Sequence, residues 1–238
     1  MSSSRLPGKS LRPIAGKPMI AHVIERARIT GPEVVLATTT LGRDDLLAEE
    51  AEARGVRVIR GDPYDVLDRY VQAAHEMQAD AVVRLTGDCP FLDPVVSKRV
   101  IEAFTHCQSD YVSNVGTENG YPDGLDTEVF SVAALRYATR ATTDRRHREH
   151  VTSFLRESPT ITRGDQSYDG EDMSAIKLSV DSPQDMYRAR AIMAHIPLGC
   201  YDMAATLQAV WDTRREDTTV WQSDHRHRLA CRETPSTQ

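Results

Sequence analysis

Short β-branched, apolar runs alternate with longer segments of helical apolar spacing, and this alternation restricts the fold more than any other feature of the chain. Val34 to Thr40 has the composition of a strand buried on both faces. Before it, Lys17 to Ile29 places Met19, Ile20, Val23, Ile24 and Ala27 on one helical stripe. After it, Asp44 to Arg54 reads as a helix that Gly55 can close at its C-terminal end. Val56 to Arg60 predicts a strand, Asp65 to Met77 a helix, Ala81 to Leu85 a strand, Pro94 to Thr105 a helix and Asp110 to Asn114 a strand. That βαβα order predicts an α/β fold with a mostly parallel sheet and helices on both faces. Ligands of such sheets bind beyond the carboxyl ends of the strands. Thr38-Thr39-Thr40, Thr86-Gly87-Asp88 and Asp181 fall at such ends.

The second half is less regular. Gly116 to Asp126 reads as a loop, Thr127 to Phe130 as a strand, Val132 to Thr139 and Arg146 to Glu157 as helices. Pro159 to Ser174 is polar and reads as an excursion from the sheet, after which Ala175 to Val180 returns as a strand. Ser182-Pro183-Gln184-Asp185 opens a helix with Ser at the N-cap, Pro at N1 and an acid at N3. Met203 to Trp211 is a last short helix, and residues 213–238 read as a polar, disordered tail behind one domain of residues 1–212.

Composition narrows the function classes. A formal net charge of -6 argues against nucleic acid as the main ligand. No apolar run approaches a membrane span and no signal peptide opens the chain. Four dispersed cysteines with no CxxC pair predict neither disulfides nor a thiolate zinc site, and point to the cytoplasm.

Against this acidic background, four cations (Arg5, Lys9, Arg12 and Lys17) precede the first carboxylate, Glu25. Small residues among them (Ser2, Ser3, Ser4, Gly8) let backbone N–H groups approach an anion, a pattern suited to a polyphosphate. Gly8-Lys9-Ser10 echoes the end of a Walker loop, but Ser3 stands where its first glycine belongs and no strand precedes it, so a P-loop kinase is disfavoured. Asp88 follows a strand and a turn-forming Gly87, a position where carboxylates hold Mg²⁺ together with phosphate oxygens. Asp181 is of the same kind, since Ser182 already caps the next helix; two such aspartates can grip one Mg²⁺ on a triphosphate. Asp93 reads as a helix cap ahead of Pro94. Asp65 and Arg69 either support the nucleotide site or form an i, i+4 pair. Arg148-Glu149-His150 is either an acceptor-facing group or an exposed helix face, and His147 with His150 makes a weak zinc pair.

Five segments in order complete the pattern: Ser-Ser-Arg-Leu-Pro-Gly-Lys at 3–9, Arg-Leu-Thr-Gly-Asp-Cys-Pro at 84–90, Tyr-Pro-Asp-Gly-Leu-Asp-Thr-Glu-Val-Phe at 121–130, Arg-Glu-His-Val-Thr at 148–152 and Val-Asp-Ser-Pro-Gln-Asp at 180–185. Together they resemble the cytidylyltransferases of the spore-coat polysaccharide biosynthesis protein F group, related to the synthetases of CMP-3-deoxy-manno-octulosonate and CMP-sialic acid. The resemblance covers roughly residues 2–212. It implies a three-layer, Rossmann-like nucleotidyltransferase fold. It also implies a reaction in which a sugar or sugar-acid oxygen attacks the α-phosphorus of CTP, with Mg²⁺, to give a CMP-sugar and pyrophosphate for polysaccharide or glycoconjugate synthesis.

By the same resemblance Arg5 and Lys9 are the catalytic, triphosphate-binding cations, with Ser3, Ser4, Thr39, Arg84 and Asp88 around the nucleotide. Asp88 and Asp181 bind the metal. Tyr121, Asp123, Asp126, Glu128, Arg148 and His150 form the acceptor side, within a segment, 116–174, that also serves a possible homodimer contact. Members of the group open with a buried strand and a segment ending Arg-Met-Gly or similar; Met1 and Ser2 align with its Met and Gly. The expectation is therefore a fold without its first strand, which leaves two neighbouring strands with bare edges, and a true start codon upstream. The alternatives are a nucleotide-binding remnant without turnover, or a nucleotidyltransferase using another nucleotide or a non-sugar acceptor.

Overall fold

The computed structural model describes residues 5–218. A tight hairpin of β1 (Pro13–Ile14) and β2 (Lys17–Pro18) leads into α1 (Met19–Ile29). Its two-residue turn, Ala15-Gly16, has positive φ at both positions, the geometry that matches strand twist. This hairpin shortens the helix expected from Lys17. Next, β3 (Val35–Thr39) and β4 (Arg57–Gly61) pair in parallel around the crossover helix α2 (Asp45–Ala53). Helix α3 (Val66–Glu76), capped by Asp65, then carries the chain to β5 (Ala81–Arg84).

β5 opens a second sheet of order β5-β7-β6-β8, built with β6 (Tyr111–Ser113), β7 (Glu128–Ser131) and β8 (Arg163–Asp165). β7 is antiparallel to β5 and β6, while β8 is parallel to β6. The sheet is therefore mixed, with β7 the reversed strand. Helix α4 (Pro94–His106) links β5 to β6, and its first turn is closed by Asp93, whose carboxylate accepts from the Val95 and Val96 N–H groups. Asp93 is thus a cap.

Three further segments depart from the sequence reading. The helix expected over Arg146 to Glu157 breaks into α6 (Arg145–His150) and α7 (Ser153–Glu157), after α5 (Val132–Ala141). Val151 sits at the break with φ 47, fully buried beside Phe130, Leu135 and Leu155; burial holds a β-branched residue where it is otherwise strained. The polar stretch from Pro159 is not wholly an excursion, because Arg163–Asp165 adds β8 at the sheet edge, where a strand needs no apolar alternation. Ala175 to Val180 makes no ladder, only a single bridge from Lys177 to Asp123. It still alternates, burying Ile176, Leu178 and Val180 while Lys177 points the other way.

Two helices complete the fold, α8 (Pro183–His195) and α9 (Met203–Glu216). Ser182 and Asp185 form the predicted capping box. Helix α9 runs past the expected boundary at Asp212, since Val210 and Thr213 still face the core; residues 219–238 of the expected tail lie outside the described residues. The largest apolar cluster joins α8 and α9 to Phe91, Leu178, Val180 and, from the start of the chain, Leu6. Burying a side chain such as Leu6 is worth about 1.5–3 kcal/mol and pins the segment that carries Lys9.

Candidate active site

Leu6 anchors the loop, Gly8 turns it with φ 67, and Lys9 starts a single 3-10 turn, Lys9–Leu11. This sends the Lys9 ammonium to the carboxyl end of β5. Its Nζ donates to Asp88 Oδ2 at 2.7 Å, to Asp181 Oδ1 at 3.1 Å and to the Val180 carbonyl at 2.8 Å. Residues 79 and 171 positions away in sequence thus meet at one nitrogen. The Val180 N–H donates to the Asp88 carbonyl at 2.9 Å, so the two aspartates hang from neighbouring backbone. Burial pulls the Lys9 ammonium toward its neutral form, but the Asp88 and Asp181 carboxylates overrule it and its pKa is raised. Arg5, exposed, reaches Asp181 at 3.5 Å. Ser3 and Ser4 lie outside the described residues.

Three supporting side chains escaped the sequence reading of the site. Lys177 Nζ contacts Asp181 at 3.2 Å and Asp185 at 2.6 Å. Asp185 accepts from the N–H groups of Asp181 and Ser182 and pairs with buried Arg188. Burial works against the charged form of Asp181, yet Lys9 and Lys177 hold its carboxyl below the usual carboxylate range. Asp185 was legible only as a helix-capping acid. The i, i+4 spacing of Lys177 to Asp181 was the available signal for the rest.

A divalent cation fits these residues. One oxygen from each aspartate converges on the same ammonium, so both can face one small hard cation, for which oxygen donors are suited. No group of three or more His, Cys, Asp or Glu side chains among the described residues is arranged to hold a metal ion. Phosphate oxygens and water would complete such a shell.

The 121–126 loop adjoins this cluster. Gly124 has φ 104, and a Cβ there would stand 2.6 Å from the Ser179 backbone nitrogen, so only glycine lets the loop lie against residues 178–179. Asp123 accepts from Ser179 Oγ at 3.1 Å. Burial pushes the Asp126 carboxyl up to about 7, and the Asp123 and Glu128 carboxylates push the same way. Burial also holds the Cys89 thiol well up, with Asp88, Asp126 and Asp123 adding to it, and the thiol lies 3.7 Å from Asp88 Oδ1. Tyr121 is buried, its ring 5.3 Å from that of Tyr168, and its hydroxyl has no hydrogen-bond partner among the described residues.

Other expected site residues are engaged elsewhere. Glu128 is 2% exposed and binds Arg84 directly across the β5-β7 register, while its second oxygen accepts from Tyr111 Oη at 2.6 Å. Both residues thus serve the sheet interior. Thr39 Oγ1 donates to Asp44. Arg148 braces α6 to α3 by binding Asp65 and the Thr139 carbonyl, so Asp65 serves as cap and brace. His147 accepts from or donates to Ser153 Oγ at 2.8 Å, and His150 is exposed.

Lys9, Asp88 and Asp181 meet beyond the carboxyl end of β5 in an α/β fold, and the relatives of this chain are nucleotidyltransferases. The fold matches a solved cytidylyltransferase from Leptospira borgpetersenii serovar Hardjo-bovis (strain JB197), with a TM-score of 0.81 at 24% identity over 94% of this chain and 93% of that one. The chain belongs to the cytidylyltransferase family, whose model matches residues 1–209. It is 30% identical over 201 residues to the spore coat polysaccharide biosynthesis protein SpsF of Bacillus subtilis (strain 168), covering 81% of this chain and 82% of that protein. A shorter match, 41% identical over 105 residues and 42% of each chain, is to 3-deoxy-manno-octulosonate cytidylyltransferase of Anaeromyxobacter dehalogenans (strain 2CP-1 / ATCC BAA-258). Transfer of a cytidylyl group from CTP is the reaction class of this family, which favours CTP over the alternative nucleotides.

Proposed function

We propose that the chain transfers CMP from CTP to a hydroxyl of a sugar or sugar acid and releases pyrophosphate, in polysaccharide or glycoconjugate synthesis. The observation that carries this reading is the convergence of Asp88 and Asp181 on Lys9, beside the 121–126 loop that Asp123 ties to Leu178 and Ser179. The acceptor oxygen attacks the α-phosphorus, the bond from that phosphorus to the bridging oxygen of the β-phosphate breaks, and the hydroxyl proton leaves with solvent or a nearby base. Asp88 and Asp181 would hold a divalent cation, Mg²⁺ in our reading, which supplies charge neutralisation on the triphosphate. Lys9, released from the aspartates when phosphate arrives, moves its positive charge onto the oxygens where negative charge develops. Arg5 is already at the mouth and exposed, so it engages the outer phosphates with little rearrangement.

Asp123 and Asp126 accept hydrogen bonds from the acceptor, while Lys177 and Asp185 keep Asp181 aimed. Tyr121 packs the floor of the loop. The segment 116–174 sets acceptor choice and contributes to a homodimer, and the dispersed cysteines without a CxxC pair support a cytoplasmic location. No helix among the described residues is long and apolar enough to cross a membrane. Incubation with CTP, Mg²⁺ and a panel of sugars and sugar acids should release pyrophosphate with at least one acceptor. Turnover with another nucleoside triphosphate but not with CTP overturns the reading. Light scattering on the purified chain tests the dimer.

A further inference from the structure

Residues 136–163 reverse the charge of the chain. This stretch holds seven arginines, no lysine and three acids, within a chain of formal net charge -6. Glu157 neutralises Arg146, and Asp65 neutralises Arg148. Arg136, Arg140 and Arg156 are exposed, and among the described residues their guanidinium groups make no ion pair and no hydrogen bond. Arg163 Nη1 donates to the carbonyls of Arg156 and Ser158, at 2.8 and 2.9 Å, so two cationic residues are held side by side. Tyr137 ties these positions into one face. Its ring lies 6.0 Å from that of Phe154 in α7, and its hydroxyl accepts from Thr160 Oγ1 at 3.4 Å. Helix α5 is thereby joined to α7, which carries Arg156, and to the segment leading into β8, which opens on Arg163. Arg136 and Arg140 are an i, i+4 pair of like charge, which repels on a helix surface. Folding alone is opposed by this arrangement, whereas an anionic partner is drawn to it.

The make-up of the face selects among anionic partners. Its cations stand on two helices and a strand, so they suit a chain with charges at intervals better than one compact anion. Arginine presents a planar fork that grips a carboxylate with two hydrogen bonds. Tyr137 is the exposed large apolar side chain of residues 136–163, at 40%. A bilayer surface asks for a whole apolar face to bury, which one tyrosine does not supply. Nucleic acid is disfavoured by the net charge of the chain. A second copy docked here about a two-fold axis would set arginine against arginine, so the dimer contact proposed for 116–174 lies elsewhere in that segment. A tyrosine ring does suit the flat C–H face of a sugar, with its hydroxyl at the polar edge. The choice of a glycan rests on the proposed reaction. CMP joined through a hydroxyl of a sugar acid leaves the carboxylate free, and a glycosyl transfer that consumes the product uses the activated position. A polymer of such units therefore carries a negative charge on each of them.

We propose that the face of Arg136, Tyr137, Arg140, Arg156 and Arg163 binds an anionic glycan chain, with the arginines on its carboxylates and Tyr137 against a sugar ring. Calorimetry on the 238-residue chain with oligogalacturonate, a glycan bearing one carboxylate per sugar, tests it. Binding should weaken about tenfold between ~0.05 M and ~0.5 M salt. Arg136→Gln combined with Arg140→Gln, both on the exposed side of α5, should weaken it about tenfold and leave the unfolding temperature unchanged or raised. Tyr137→Ala should weaken it about threefold without altering the salt dependence. Neutral dextran should not bind, and poly-glutamate of equal charge should bind about fivefold more weakly or less. The proposal is overturned if oligogalacturonate does not bind, or if the double arginine variant binds it as the parent does. Equal affinity for poly-glutamate overturns it in favour of an acidic peptide, and capture on phosphatidylglycerol vesicles that the double variant abolishes does so in favour of a membrane. A change of oligomeric state in that variant, seen by light scattering, overturns it in favour of a contact between copies. None of these readouts requires turnover, so the proposed reaction stands or falls separately.

Discussion

Two ion clusters, one at the last residue of β5 and one just past it, behave as opposites. Arg84, within β5, binds Glu128 across a fixed antiparallel register, with Tyr111 on the second carboxylate oxygen. Asp88, four residues later and beyond the strand end, binds Lys9 from a loop. The first cluster has its carboxylate sealed at 2% exposure; the aspartates of the second keep a quarter or more of their side-chain surface open, at 29% and 25%. A sealed carboxylate contributes to structure because it cannot exchange its counterion, even though the Arg84 side chain keeps 23% of its surface open. An open one can trade an ammonium for a metal and phosphate. Sequence neighbours thus divide into scaffold and candidate site according to whether the sheet still covers them.

The largest way to break this contrast is Glu128→Ala, which takes the carboxylate from the half-buried Arg84 guanidinium and should cost about 2–4 kcal/mol in denaturant unfolding. Pairing it with Arg84→Met should recover most of that loss, since the uncompensated charge goes too. Asp88→Asn should do the reverse: turnover with CTP falls about 10³-fold, while unfolding shifts by less than about 1 kcal/mol. Equal losses of stability in the two variants would erase the distinction.

Lys9→Met should lower kcat by about 10²-fold and leave a chain that still binds the divalent ion, seen by calorimetry with the metal alone. Asp126→Asn sharpens the comparison through pH. Its folded pKa, raised to about 7, exceeds the unfolded value near 4, so the folded state binds the proton more tightly. Its contribution to stability is full below pH 4 and is lost as pH rises to 7. The asparagine variant should therefore be more stable than the parent at pH 8, by about 2 kcal/mol after allowing for partial exposure, and the two should converge below pH 4. The smallest effect is expected for Lys177→Met, a rise in KM for CTP of about threefold to tenfold with kcat nearly unchanged, from a less firmly held Asp181.

The three side chains that meet at the Lys9 nitrogen were legible before the fold. Asp88 and Asp181 stood out because each followed an apolar run and neither was needed as a cap, and Lys9 stood out as a cation among small residues. Glu128 and Arg84 share the same motifs, but a one-dimensional reading cannot tell a strand residue facing a ligand from one facing its neighbour across the ladder. Arg148 looked like an exposed helix cation or an acceptor ligand, and instead it holds α6 to α3 through Asp65. Lys177 and Asp185 were hidden because their roles depend on a contact made only after α8 is capped and packed.

What the sequence determined by itself was local: where helices begin, through Asp65, Asp93 and Ser182, and which strand ends carry carboxylates. These depend on bonds between residues a few positions apart, or on the period of apolar side chains. The break at Val151 and the edge strand at Arg163–Asp165 were decided by tertiary structure alone. Each depends on what lies across a gap in space, and distance in space is the quantity a linear pattern does not contain.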